Sequence, residues 1–257
     1  MSCAGVTLAA GYREWLPPAS LRDSVACYWV SVTPRHGPAV ASVMPDGCTD
    51  LIWQSDRGAF IAGPDTRPAP TRLPAGTVLV GARFWPGAGG PALGVPLAEL
   101  RDQRVEVADC LPGLAGLLPA DLTPERAFSA IASACHQFVA ARPSDRLVRH
   151  ATKLLAHGQT TVAGVCDTLA LSERQLRRRF DDAVGYGPKT MQRVLRFRKV
   201  LAQLTVTPDA DLATMAVQLG YSDQAHLTRE TSRLAGLPPA ALAKSFRPAG
   251  SSENERA

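Results

Sequence analysis

The period of the hydrophobic positions changes part-way along this chain. Up to about residue 85 they fall in short runs: Ala26–Val32 (ACYWVSV), Ala39–Val43, Asp50–Gln54 (DLIWQ), Phe60–Ala62 and Thr77–Phe84 (TVLVGARF). Turn-forming groups such as Pro45-Asp46-Gly47 and Gly63-Pro64-Asp65 separate them. Short apolar runs bounded by Gly and Pro predict β-strands, and strands this closely spaced predict an antiparallel sandwich or barrel. Two short helices are expected next, one near Pro96–Gln103. The other opens with Thr123 as N-cap and Pro124 at the first helical position, and carries Ala127, Phe128, Ile131, Cys135, Phe138 and Val139 at helical spacing. That stripe either packs on its own domain or forms a dimer seam. Arg142-Pro143-Ser144 breaks the helix, and beyond it the period is helical throughout. The expected fold is α+β in two domains: a β-rich domain over 1–115, a helical linker over 116–143, an all-α domain over 144–248 and a flexible tail over 249–257.

Within the all-α part the pattern repeats. Val162–Leu171 (VAGVCDTLAL) aligns with Leu212–Tyr221 (LATMAVQLGY) at an offset of 50, matching Val162 to Leu212, Ala163 to Ala213, Val165 to Met215 and Leu169 to Leu219. Each copy is a short helix ending in a turn, Ala170-Leu171 or Gly220-Tyr221. A polar cap follows, Ser172 or Asp223, and four residues later comes one buried leucine, Leu176 or Leu227. A helix, a short turn and a capped second helix make a helix-turn-helix, and here there are two in register. Pro188–Leu204 lies between them, with Met191, Val194, Leu195, Leu201 and Leu204 as its apolar stripe. Its 17 residues span roughly 26 Å at about 1.5 Å each, a rod suited to holding two helices in successive major grooves about 34 Å apart.

A helix entering a major groove about 12 Å wide must show the bases its polar side chains. In Ser172–Asp182 (SERQLRRRFDD), Leu176 and Phe180 face inward, leaving Arg174, Arg177 and Arg178 as the candidate base contacts. In Asp223–Leu234 (DQAHLTRETSRL), Leu227 faces inward, leaving Ala225, His226, Thr228 and Arg229. Arginine bonds guanine bidentately, and Thr or Ala can touch a thymine methyl. Ser172, Arg193, Arg196 and Lys199 are the candidate contacts to the DNA backbone.

Charge follows the same division. Residues 1–143 carry 11 basic and 12 acidic residues, and residues 144–257 carry 17 and 11. Ser172–Lys199 alone holds nine basic and three acidic residues, enough to account for the net +5 of the chain. Such a block is the footprint of a phosphate-contacting surface, or a solvated helix face whose acids lie elsewhere. Hydrophobic residues at 46% rule out wholesale disorder, and no apolar run approaches the roughly 20 residues that cross a bilayer. The six cysteines include no CxxC pair and the five histidines form no HxH or HExxH. No metal site and no cofactor are therefore expected. The first 20 residues lack a basic start followed by an apolar run, so a cytoplasmic chain with reduced thiols is expected.

The SERQLRRRFDDAVGYGPKTMQRVLRFRKVLAQL and LATMAVQLGYSDQAHLTRETSRLAGLPP stretches make residues 144–248 resemble the DNA-binding domain of the AraC/XylS family of bacterial transcription regulators. The resemblance implies two helix-turn-helix units joined by a long helix and bound to double-stranded DNA. It places Arg174, Arg177 and Arg178 at base-facing positions of the first unit, and Ala225, His226, Thr228 and Arg229 at those of the second. This sequence departs from the family at Thr231, where an aromatic is usual; the site then packs less apolar area, by about 1–3 kcal/mol. PDGCTDLIW (Pro45–Trp53) and RFWPGAGGPALGVPLAELRD (Arg83–Asp102) look like an N-terminal domain often attached to such regulators. The resemblance implies an effector-sensing or dimerising domain, often a cupin-like barrel, and RNA polymerase as a partner if the chain activates.

All four tryptophans lie in the first 85 residues. Trp29, Trp53 and Trp85 are candidate contacts to an apolar or aromatic effector, or else core residues of a small β domain. The expected function is non-enzymatic, sequence-specific regulation at DNA. Two alternatives stand beside it: an architectural DNA-binding protein without sequence preference, and a DNA-repair alkyl-transfer enzyme using Cys48, the cysteine placed in a polar loop beside Asp46 and Asp50.

Overall fold

The computed structural model describes residues 11–157 and 160–246; the expected tail at 249–257 lies outside them. Strands β1 (Gly11–Trp15), β2 (Val25–Val32), β3 (Ala39–Val43), β4 (Thr49–Gln54), β5 (Gly58–Ala62), β6 (Ala69–Leu73) and β7 (Val78–Phe84) come first. Helix α1 (Gly89–Leu93) and strand β8 (Arg104–Glu106) follow, then the one-turn helices α2 (Val107–Cys110) and α3 (Pro112–Ala115). The rest is helical: α4 (Pro124–Ala141), α5 (Arg146–Ala156), α6 (Val162–Leu169), α7 (Glu173–Val184), α8 (Pro188–Val206), α9 (Leu212–Gln218), α10 (Gln224–Ala235) and α11 (Pro239–Phe246). The result is an α+β, two-domain architecture.

Six strands form one antiparallel sheet in the order β1-β2-β7-β4-β5-β8, and β3 pairs with β6 in a separate ribbon. Strict alternation gives the large sheet two apolar faces. On one, Tyr28 and Val30 face Ala82 and Val80 across the ladder, and Leu51 and Trp53 extend the layer. On the other, Cys27, Trp29, Ile52, Phe60 and Leu79 cluster with Leu73 of β6, so the ribbon supplies a second layer. Gly81 is opposite Trp29, and a Cβ there would meet the indole at 2.3 Å. Only glycine lets the ring lie across β7.

Helix α4 begins as its sequence predicts, with Thr123 Oγ1 accepting the Arg126 N–H at 3.4 Å and Pro124 at the first position. Its Ala127, Ile131, Ala134 and Cys135 are buried against the first sheet face, with Leu118 beside them. The segment expected as a helical linker thus packs into the β domain, and its apolar stripe is covered there. The helix expected near Pro96–Gln103 is instead a run of three-residue turns that passes Asp102 at φ 58°. Tertiary partners claim its groups: the Leu97 N–H donates to Asp182 O (2.9 Å), and the Asp102 carboxylate takes the Thr66 N–H (2.7 Å) and hydroxyl (2.7 Å). A short helix forms earlier, as α1.

The helical domain has its own core, from Val148, Ala151 and Leu155 of α5 to Leu242 of α11, centred on Phe180 and Phe197. The two domains meet at the C-terminal end of α7. Gly90 of α1 lies so close to Asp182 O that a Cβ would approach it to 2.7 Å. Arg149 of α5 donates to Asp23 Oδ1 of the β domain at 2.7 Å.

Candidate nucleic-acid interface

Each half of the repeat folds as a capped helix set on a short one. At the start of α7, Ser172 Oγ accepts the Gln175 N–H (3.2 Å) while Gln175 Oε1 accepts the Ser172 N–H (2.9 Å), a reciprocal capping box. Leu176 and Phe180 are fully buried, and Arg174, Arg177 and Arg178 are exposed along the opposite face. Arg177 reaches Asp181 one turn on at 3.7 Å, an exposed pair that leaves it free to re-pair. The neighbouring Arg179 turns back, its Nη1 donating to Asp145 Oδ2 (2.7 Å) at the N-cap of α5.

The second unit repeats this plan with different chemistry. Asp223 caps α10 by accepting the His226 N–H at 2.6 Å. Leu227 is buried, Ala225 and Arg229 are exposed and Thr228 is half-buried. His226, expected to face the bases, is half-buried. Its Nδ1 accepts the Ser222 N–H (3.4 Å) and its ring stands edge-on to Tyr221 at 5.4 Å. His226 closes the start of α10 in the register where Gln175 closes α7.

The expected backbone contacts divide. Ser172 stands exposed at the cap of α7, and Lys199 is half-exposed and without an ion pair among the described residues. Arg193 and Arg196 differ from expectation, because both turn from α8 onto Glu230 of α10. The Arg193 guanidinium donates to the Glu230 carboxylate, and Arg196 Nη2 lies 3.6 Å from Glu230 Oε2. Arg196 also donates to Gly220 O (2.9 Å) and rests over the Tyr221 ring, 5.1 Å from its centre. These two arginines hold the second unit to the connecting helix. Sequence reasoning passed over Glu230; the signal was an isolated acid at the register that Arg179 occupies in the first copy.

The three candidate tryptophans do not converge. Trp53 is wholly buried and its indole N–H donates to Pro119 O (2.8 Å), making it a core residue. Trp29 is buried on the other sheet face and donates to Asp50 Oδ1 (2.7 Å). Burial, opposed by Arg83, raises the Asp50 carboxyl to about 6. Trp85 alone is exposed, at 44%. Cys48 lies in the loop before β4, beside Asp46 and Asp50 as expected, but is buried there. Burial and the nearby Asp46 and Asp50 push its thiol well above the ordinary value, the reverse of what a nucleophilic thiolate needs.

Residues 165–245 match a family described as a helix-turn-helix domain, and residues 13–106 match a domain of unknown function (DUF6597). Over 80 residues the sequence is 36% identical to a putative AraC-like transcription regulator of Streptomyces lividans. The C-terminal part of the chain thus carries a helix-turn-helix domain. That match covers 31% of this chain and 26% of the Streptomyces protein. Among solved structures, the C-terminal domain of AraT, a response regulator from Geobacillus stearothermophilus, aligns with a TM-score of 0.38 at 18% identity, covering 44% of this chain and 94% of that one. ToxT from Vibrio cholerae aligns at 0.44 and 8%, covering 85% and 97%. Within this helix-turn-helix domain Thr231 is fully buried and its hydroxyl has no hydrogen-bond partner among the described residues.

Proposed function

We propose that this chain is a transcription regulator that recognises specific duplex DNA through α7 and α10, with its β-rich domain answering to a small molecule or a protein partner. The observation that carries the proposal is the pair of capped helices in sequence register. One presents Arg174, Arg177 and Arg178 and is fastened to α5; the other presents Ala225, Thr228 and Arg229 and is fastened to α8. Arginines on a helix that shows no apolar seam suit guanine edges in a major groove, and the less basic surface of α10 suits sequence discrimination better than uniform phosphate binding. A homodimer, and RNA polymerase if the chain activates, belong to this proposal as partners.

Fluorescence anisotropy with the DNA upstream of its own gene and with a scrambled duplex, at about 50 and 200 mM salt, tests it. Preference for one sequence should persist at the higher salt. Arg178→Ala should cost about 1–3 kcal/mol at the preferred site and relax base choice there. An equal loss on every sequence would assign Arg178 to phosphate. If selection from random duplexes also enriched nothing, the protein would be an architectural DNA binder instead.

A further inference from the structure

A cleft of about 410 Å³ opens where the two domains meet. The β domain contributes Arg22, Asp23, Asp46, Cys48, Trp85 and Pro86 to its walls; α5 and α8 contribute Arg149, Thr152, Lys153, Ala156, Leu195 and Arg198. The volume is that of an ordinary small-molecule site.

Its electrostatics are lopsided. Four cations and two carboxylates line it. Arg149 is taken by Asp23 at 2.7 Å, and Asp46 accepts the Cys48 N–H (2.8 Å) while lying 3.8 Å from Arg83. Among the described residues Arg22 donates to a backbone carbonyl, that of Pro17 at 3.2 Å, and has no ion pair. Lys153 and Arg198 have no ion pair among the described residues. Three exposed cations from three separate segments therefore border one space with no direct ion pair among the described residues, and the Asp23 carboxylate that also feels Lys153 is already taken by Arg149. Like charges brought together in this way repel, and a bound anion removes that cost.

Two further observations point to an occupant rather than to a solvated patch. The Thr152 hydroxyl is buried and lacks a hydrogen-bond partner among the described residues, although the residue lines the cleft. Trp85 keeps 44% of its surface exposed here while its indole N–H is fixed on Arg22 O (3.1 Å), so its ring is both open and held in place. Pro86, Leu195 and Ala156 complete an apolar wall beside the charges.

We propose that this cleft binds a small planar aromatic molecule bearing one anionic group, a carboxylate or a phosphate. The ring packs on the apolar wall at Trp85, and the anion is held by Lys153, Arg198 and Arg22. This deepens the effector half of the proposed function and rests on it for biological meaning. Because α8 carries both recognition units and also lines the cleft, a ligand bridging α8 to the β domain would bias how those units are presented to DNA.

Isothermal titration of the full chain, without DNA, tests the site independently of DNA recognition. The probes are indole-3-acetate and its neutral counterpart indole-3-acetamide, adenosine 5′-phosphate and its neutral counterpart adenosine, and inorganic phosphate. At least one aromatic anion should bind at least tenfold more tightly than its neutral counterpart and than inorganic phosphate, and which one binds identifies the anionic group. The double variant Lys153→Gln/Arg198→Gln should weaken that binding tenfold or more while keeping the wild-type circular dichroism spectrum. Trp85→Leu should weaken it as well, and Lys244→Gln should not. Failure of both aromatic anions to bind below millimolar concentration would overturn the proposal. So would equal binding of the neutral counterparts, or unchanged affinity in the double variant.

Discussion

The two helix-turn-helix units share one backbone plan and differ in what holds them. In the first, Phe180 fills the core and Arg179 reaches back to the cap of α5. The end of α7 is also clamped by the β domain through Leu97 and Gly90. Fifty-one residues on, the position of Phe180 is held by Thr231, a buried residue with an unpaired hydroxyl, and that of Arg179 by Glu230. The second unit replaces apolar filling with charge, set by Arg193 and Arg196 closing on Glu230. The same supersecondary motif can thus be secured by packing or by a part-buried ion cluster, and the two respond differently to substitution.

The largest effect expected of a single change is at the apolar anchor. Phe180→Ala should cost about 3–5 kcal/mol of stability in chemical denaturation, the usual penalty for emptying an aromatic site in a core. A loss below about 1 kcal/mol would mean that the first unit does not depend on that packing. Next comes the ion cluster: Glu230→Gln leaves two arginines near one another without their acid, and should cost about 2–3 kcal/mol. Arg179→Gln, which breaks the more exposed pair of the first unit, should cost less than about 1 kcal/mol. Equal costs would erase the distinction drawn between the units. Thr231→Val keeps the shape and removes the orphaned hydroxyl, so the melting temperature should rise, by about 1 kcal/mol in stability terms.

The smallest expected effect lies in the turns. Ala170 sits at φ 51° where the second unit has Gly220 at φ 75°. A left-handed alanine costs about 1–2 kcal/mol, partly offset by the greater unfolded-state freedom of glycine. Ala170→Gly should therefore stabilise by about 0.5 kcal/mol, and Gly220→Ala should destabilise by a similar or larger amount. Stabilisation by both would show that the turns are not equivalent.

Much of the architecture was legible because it is local. Strands β2, β3, β4, β5 and β7 follow from short apolar runs between Gly and Pro turns, and α4 and the helices of the repeat follow from caps and spacing. The unread strands lack that signal. Strand β1 (GYREW) is exposed along its whole length at the edge of the sheet, β6 carries Pro70 in a two-stranded ribbon, and β8 is three residues long. Each exists because a neighbour offers hydrogen bonds, a condition its own composition does not record. The candidate site divides in the same way. Exposure of Arg174, Arg177 and Arg178 opposite Leu176 and Phe180 is fixed by helical periodicity, since a buried face determines the open one. The diversion of Arg193 and Arg196 to Glu230, and of His226 to Ser222, depended on which side chains the folded units brought within reach.

By itself the sequence determined two domains, a repeated capped helix pair, the rod between them and a basic exposed face on α7. Those features follow from contacts within a turn or two of the chain, where side-chain period and capping chemistry suffice. Tertiary structure alone decided that α4 belongs to the β domain, that Trp53 and Cys48 are buried while Trp85 is open, and that three cations without an ion pair among the described residues gather around one cleft. Burial and charge pairing are properties of neighbours distant in sequence, and only the folded chain brings those neighbours together.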